Sequence, residues 1–160
     1  MSKNKKLSSP ATKLLQKHNI AFTAHEYTYE PHGGTACSSQ ALGVDEHMVI
    51  KTLVLENEHA EPCIVLMHGD CSVSTKELAR VIGCKRIAPC TPDTAQRHTG
   101  YQVGGTSPFA TRKTLPVFIE RSIMALSKIY INGGRRGFLV QIKPDALQTV
   151  LQAELVDVAT

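Results

Sequence analysis

Residues 45–69, DEHMVIKTLVLENEHAEPCIVLMHG, hold two near-continuous apolar runs separated by a polar turn at 57–62. Runs of this length, bounded by turn residues, read as two strands joined in a hairpin. The rest of the chain must extend or cover that pair. SSPATKLLQKHNI reads as a helix capped by Ser9 with Pro10 in its first turn. AFTAHEYTYE alternates like a strand, and PHGGTACSSQALGV is a glycine-rich loop followed by a short helix that stops at Gly43. After the hairpin, VSTKELARVIG is a helix with Ser74 and Glu77 as a capping box and Gly83 as its stop. CKRIAPC is a short strand, and TPDTAQRHTG a short helix capped by Thr91 with Pro92 at its first position. TLPVFIE, KIYINGG and GFLVQI are further strands, KPDALQTVLQ is the last helix, and AELVDVAT is a terminal strand or tail.

Hairpins and strand–helix–strand units are mixed here without the regular alternation of a doubly wound sheet. The expected fold is α+β, a single domain with a mixed, curved, partly barrel-like β-sheet and peripheral helices. No repeat, linker or low-complexity segment marks an internal boundary. Residues 1–8 read as a flexible tail and residues 9–160 as the domain.

The 160 residues are enough for one domain with a real core. No apolar run approaches the length of a membrane span, so no membrane partner is expected. The basic start MSKNKKLSSP has no apolar stretch behind it, which points to a cytoplasmic protein. Five cysteines in a reducing compartment are expected as free thiols, and His68 with Cys71 is a lone H-x-x-C. None of the seven histidines falls in a recognised ligand spacing, so no metal and no cofactor are expected.

The net charge of +4 is unevenly spread: residues 7–75 carry −5, residues 76–143 carry +9 and residues 144–160 carry −3. A basic excess confined to one stretch fits a polyanion-binding face, and composition fits chance clustering on a solvated surface equally well. With four Phe and four Tyr, phosphate contact fits better than stacking on many bases.

Three features can carry chemistry. GYQVGGTSPF, residues 100–109, places Gly104 and Gly105 at the end of a strand with Pro108 fixing the far side. Such a loop is either a plain turn or a concavity of unpaired peptide N–H groups that takes an anion. It lacks the ending of a Walker A loop, and no G-x-S-x-G elbow occurs in the chain. GGRRGF, residues 133–138, is a hairpin turn whose Arg135 and Arg136 either grip phosphates or sit solvated. Lys51 interrupts an apolar strand, so it either snorkels to solvent or faces a cavity, where it can meet a phosphate or a developing oxyanion.

In order and spacing, KTLVL, AQRHTGYQVGGTSPF, KTLPVFIE and KIYINGGRRGF resemble the YbaK/EbsC family, free-standing relatives of the editing domain of bacterial prolyl-tRNA synthetase. The likeness runs from about residue 9 to residue 157 and looks closest to the Cys-tRNA(Pro) deacylase branch. It implies a trans-editing enzyme that hydrolyses the ester of a misacylated tRNA without metal, with the ribose hydroxyl and a substrate thiol assisting. Its partners would be the acceptor end of a tRNA, tRNA(Pro) first, and prolyl-tRNA synthetase. The resemblance places the family lysine at Lys51, the threonine after it at Thr52 and a tyrosine at Tyr27. It places the aminoacyl pocket loop at Gly104, Gly105, Thr106, Ser107 and Pro108.

Two positions depart from the family pattern. Asn132 stands where relatives often have serine, and Leu139 where they often have aspartate. The loop after Tyr27 is shorter, with no matching aromatic. These departures alter the polar wall and open three alternatives: a deacylase for alanine or another small residue, a non-catalytic tRNA- or synthetase-binding module, and a thiol lyase using the same pocket.

Overall fold

The computed structural model describes residues 8–160. Of the expected tail, all but Ser8 lies outside the described residues. The first helix, α1 (Pro10–Lys17), begins as its sequence predicts: Ser9 Oγ accepts from Thr12 N at 3.1 Å, and Thr12 Oγ1 accepts from Ser9 N at 2.8 Å. Next come β1 (Thr23–Glu26), α2 (Gly34–Leu42), a 3-10 turn (Glu46–Met48), β2 (Val49–Asn57) and β3 (Pro62–His68). The second half holds α3 (Thr75–Ile82), β4 (Ile87–Pro89), α4 (Pro92–Thr99), β5 (Val117–Glu120) and a second 3-10 turn (Arg121–Ala125). It closes with β6 (Ile129–Asn132), β7 (Phe138–Ile142), α5 (Asp145–Val150) and β8 (Ala153–Val156).

All eight strands join one mixed sheet in the order β1-β7-β6-β2-β3-β5-β8, with β4 pairing β2. Pairs β2–β3, β6–β7, β1–β7 and β2–β4 are antiparallel, while β2–β6, β3–β5 and β5–β8 are parallel. The near-continuous apolar runs follow from burial on both faces. Ile64 and Leu66 of β3 pack with Ala11 and Leu15 of α1 and Leu147 of α5 on one face. Cys63, Val65 and Met67 pack with Leu78 and Ala79 of α3 on the other. Each fully buried aliphatic side chain here contributes about 1.5–3 kcal/mol.

The expected strand TLPVFIE, residues 114–120, is shorter than its sequence suggested. Only Val117–Glu120 is strand, and no regular element spans residues 101–116. Gly104 and Gly105 therefore follow a helix and a loop, not a strand. Ala110 at φ 59° and two prolines, Pro108 and Pro116, break the ladder that the apolar pattern alone would allow.

Candidate active site

The site is a gap in the sheet. β6 pairs β2 at Val49 and Ile50 only, and β4 pairs it from Leu55 to Asn57. Residues 51–54 have no strand partner on that edge, where Cys90 N donates to Val54 O at 3.0 Å. A cavity of about 850 Å³ opens there, within the range of small-molecule sites. Side chains from both faces of β2 reach it, because the missing partner exposes the strand edge. The alternation that separates Lys51 from Thr52 therefore does not separate them from the cavity.

The two glycine stretches meet at one wall of this gap. Gly104 has φ +86°, and a Cβ there would lie 2.6 Å from the Tyr29 hydroxyl. A Cβ on Gly105 would lie 2.8 Å from the backbone of Arg135 and Arg136. The loop therefore presses peptide-to-peptide on the β6–β7 turn, which answers why it carries so little side chain. Asn132 Nδ2 donates to Gly104 O at 3.1 Å, while its Oδ1 accepts from Gly134 N at 2.7 Å and Arg135 N at 3.1 Å. Arg136 Nε donates to Val103 O at 2.8 Å. The far side of the loop is held by Tyr101, whose hydroxyl donates to Phe109 O at 2.6 Å; burial pushes that phenol up to about 12.

Of the residues singled out in the sequence, Lys51, Thr52, Tyr27, Gly104, Thr106, Asn132 and Arg136 line the cavity. Lys51 is half-buried there. Thr52 Oγ1 is buried and, among the described residues, is the buried side-chain oxygen with no hydrogen-bond partner. The Tyr27 phenol is raised above its ordinary range by burial, with the Cys37 thiol adding to this against a hydrogen bond from the Gly137 backbone. Gly105, Ser107, Pro108 and Arg135 do not line the cavity. Ser107 is buried behind the wall, where its Oγ accepts from Phe109 N at 3.2 Å. The Arg135 guanidinium lies 4.5 Å over the Phe138 ring and reaches Ser8 O at 3.4 Å, so it braces the turn from inside. Arg136 is exposed and stacks 4.9 Å over Tyr29.

Tyr29 is the residue that sequence reasoning missed. The short loop after β1 does supply an aromatic ring, pressed against Gly104 and under Arg136. Its signal was present in EYTYE, where Tyr27 and Tyr29 share the period of two. Leu139, which stands where relatives often have an acid, is a buried apolar part of the cavity wall and packs with Val49 and Tyr130.

A second polar cluster lies at the open end of the β2–β3 hairpin. His68 Nδ1 donates to His47 O at 2.8 Å, its Nε2 meets Ser122 Oγ at 2.8 Å, and its ring stacks on His47 at 3.7 Å. Among the described residues, His47, Asp70 and Cys71 bring one ligand atom each within 4.8 Å of one another and form the group that could hold a metal ion. The fold thus pairs Cys71 with His47 rather than with His68 of the H-x-x-C. His47 Nδ1 already bonds Asp70 at 2.8 Å, and none of the three lines the cavity. The five cysteines form no disulfide.

Fold and site together define an α+β domain in which a lysine and a glycine loop converge on a break in a mixed sheet. The sequence pattern of the aminoacyl-tRNA editing domain matches residues 31–150, and the chain belongs to that family. EbsC of Enterococcus faecalis, provisionally assigned as a Cys-tRNA(Pro)/Cys-tRNA(Cys) deacylase, is 24% identical over 151 residues, covering 94% of this chain and 92% of EbsC. A proline–tRNA ligase of Limosilactobacillus fermentum is 18% identical over 105 residues, 63% of this chain and 18% of the ligase. The crystal structure of a candidate trans-editing enzyme for prolyl-tRNA synthetase superposes with a TM-score of 0.82 at 20% identity, over 96% of this chain and 99% of that one. None of these likenesses points to a lyase. Among the described residues, no helix is long and apolar enough to cross a membrane.

Proposed function

We propose that the protein is a trans-editing aminoacyl-tRNA deacylase and that Cys-tRNA(Pro) is the first substrate to test. The observation that carries this is the meeting of Lys51 and the Gly104 loop at one cavity, in a chain of the editing-domain family. In the reaction, water adds to the ester carbonyl and the bond to the ribose oxygen breaks. The proton from water passes to that oxygen, leaving a free amino acid and a tRNA with its hydroxyl restored. Negative charge builds on the carbonyl oxygen as water adds. An ammonium group and peptide N–H groups without strand partners are suited to hold it. The ribose hydroxyl and a substrate thiol assist proton transfer, so no protein nucleophile is required. Thr52 Oγ1, buried without a partner, is a polar contact held for the aminoacyl group. The apolar Leu139 wall favours a small uncharged side chain, cysteine or alanine. The tRNA acceptor end is the partner, with prolyl-tRNA synthetase as the enzyme whose errors are corrected in the cytoplasm.

The test is a panel of tRNAs mischarged with cysteine, alanine and serine, incubated with wild type and Lys51→Ala. Wild type releases at least one amino acid, and Lys51→Ala slows release about 100-fold or more. Undiminished release by the variant removes Lys51 from the chemistry. No release from any charged tRNA, with RNA binding retained, leaves a binding module in place of a deacylase.

A further inference from the structure

We propose that Arg97, His98 and Lys113 form a phosphodiester-binding site beside the cavity, holding the RNA backbone that leads to the reacting end. This rests on the deacylase reading only in naming RNA as the occupant. Ala95 of α4 lines the cavity, and His98 lies three residues further along the same helix, about 4.5 Å of rise. Two backbone hydrogen bonds stitch the basic segment after the glycine loop to the end of α4: Arg112 N to Thr99 O at 3.0 Å and Lys113 N to His98 O at 3.1 Å. The backbone that carries these side chains is thus fixed. Lys113 Nζ donates to His98 Nδ1 at 3.1 Å, which leaves Nε2 as the N–H donor of a neutral ring.

Positive charge here has no ion-pair partner. Among the described residues, no carboxylate lies within 4.0 Å of Arg97, Arg112 or Lys113. The C-terminal end of α4 supplies about half a negative charge, which offsets part of one cation. Glu56 is the carboxylate that acts on His98, and its influence is the weakest of the four on that ring. Burial, then Lys113 and Arg97, hold the imidazole below its ordinary range against the weaker pull of Glu56. A phosphodiester offers acceptors only and matches these donors; Arg97, which also donates to Thr94 Oγ1 at 3.2 Å, and Lys113 are exposed, and His98 is half-buried. Arg112, packed against Gly100, and Arg136, at the cavity wall, are two further exposed cations on the loops between α4 and the cavity. That extension favours a polyanionic backbone over a single carboxylate ligand.

The experiment is anisotropy of the full chain with a labelled acceptor-stem RNA hairpin across about 50–200 mM salt. Arg97→Ala with Lys113→Ala is expected to weaken binding about tenfold or more and to reduce the log–log salt slope by roughly 1.5. Lys128→Ala with Lys143→Ala removes the same charge at the opposite end of the β6–β7 hairpin and leaves the slope unchanged. Thermal unfolding confirms that both pairs fold. In wild type, binding tightens as pH falls through the titration of this imidazole, which lies below its ordinary range, because a bound phosphate favours the charged ring, and His98→Asn flattens that dependence. Equal losses in both double variants, or no binding by wild type, overturn the site. Release from the mischarged-tRNA panel by wild type tests the deacylase reading separately: its absence with RNA binding retained removes that reading and leaves the anisotropy result standing.

Discussion

Asn132 Nδ2 donates to the carbonyl oxygen of Gly104 at 3.1 Å across 28 residues of sequence, while its Oδ1 closes the β6–β7 turn. One side chain thus sets two loops against each other at the cavity. Asn132→Ala removes all three bonds and is expected to lower stability by about 1–3 kcal/mol, read by urea unfolding. Asn132→Asp keeps the acceptor for Gly134 and Arg135 and loses only the donor to Gly104. It should retain most of the stability yet still impair deacylation. Equal effects of both variants in both assays would show that the Gly104 contact has no separate role.

Gly104→Ala and Gly105→Ala should differ in kind. The added methyl at 104 meets the Tyr29 ring and forces a positive φ on alanine, so its first effect is to displace that ring, not to fill the aminoacyl space. At 105 the methyl meets backbone of Arg135 and Arg136, which cannot swing away. Gly105→Ala is expected to be the more destabilising of the two, by thermal unfolding. Adding Tyr29→Ala should recover part of the Gly104→Ala loss and none of the Gly105→Ala loss.

Glu120 predicts an acid limit to stability. Its Oε1 accepts from Val158 N at 2.8 Å and Ala159 N at 3.0 Å, and its Oε2 accepts from Ser122 Oγ at 2.8 Å. Burial pushes the carboxyl up, but these hydrogen bonds outweigh it and hold the group below the ordinary carboxylate range. A depressed folded value means the stabilisation is present above the unfolded value of about 4.5 and is lost as pH falls through the folded one. Glu120→Gln should lower stability at neutral pH and shallow the decline measured below about pH 4.5.

The thiols should sort by burial. Desolvation is the main cause that pushes Cys63 and Cys90 up to about 11. At pH 8 only about one in a thousand of each is thiolate. Alkylation with iodoacetamide, followed by peptide mapping, is expected to modify these two slowest. Rapid labelling of Cys90 would show that its side of the cavity is open to solvent.

The sequence by itself determined the elements and the core. Capping at Ser9, Ser74 and Thr91, the stop at Gly43 and the two hairpins are set by neighbours in the chain, and each formed where its residues predicted. The apolar runs of β2 and β3 also fixed burial on both faces. What only the tertiary structure decided is where chemistry can occur. The period of two places Lys51 and Thr52 on opposite faces, yet both line the cavity because β6 and β4 leave the middle of β2 unpaired. Strand pairing is a long-range property, and no local pattern announces a missing partner. The same holds for Gly105, whose constraint is a backbone 30 residues away, and for Arg135, which sequence placed at a hairpin tip, gripping phosphate or solvated, and packing turned onto Phe138. Local hydrogen bonding and hydrophobic periodicity act over a few residues, so the sequence shows them. Contacts between distant segments depend on how the whole sheet closes, and only the assembled chain shows those.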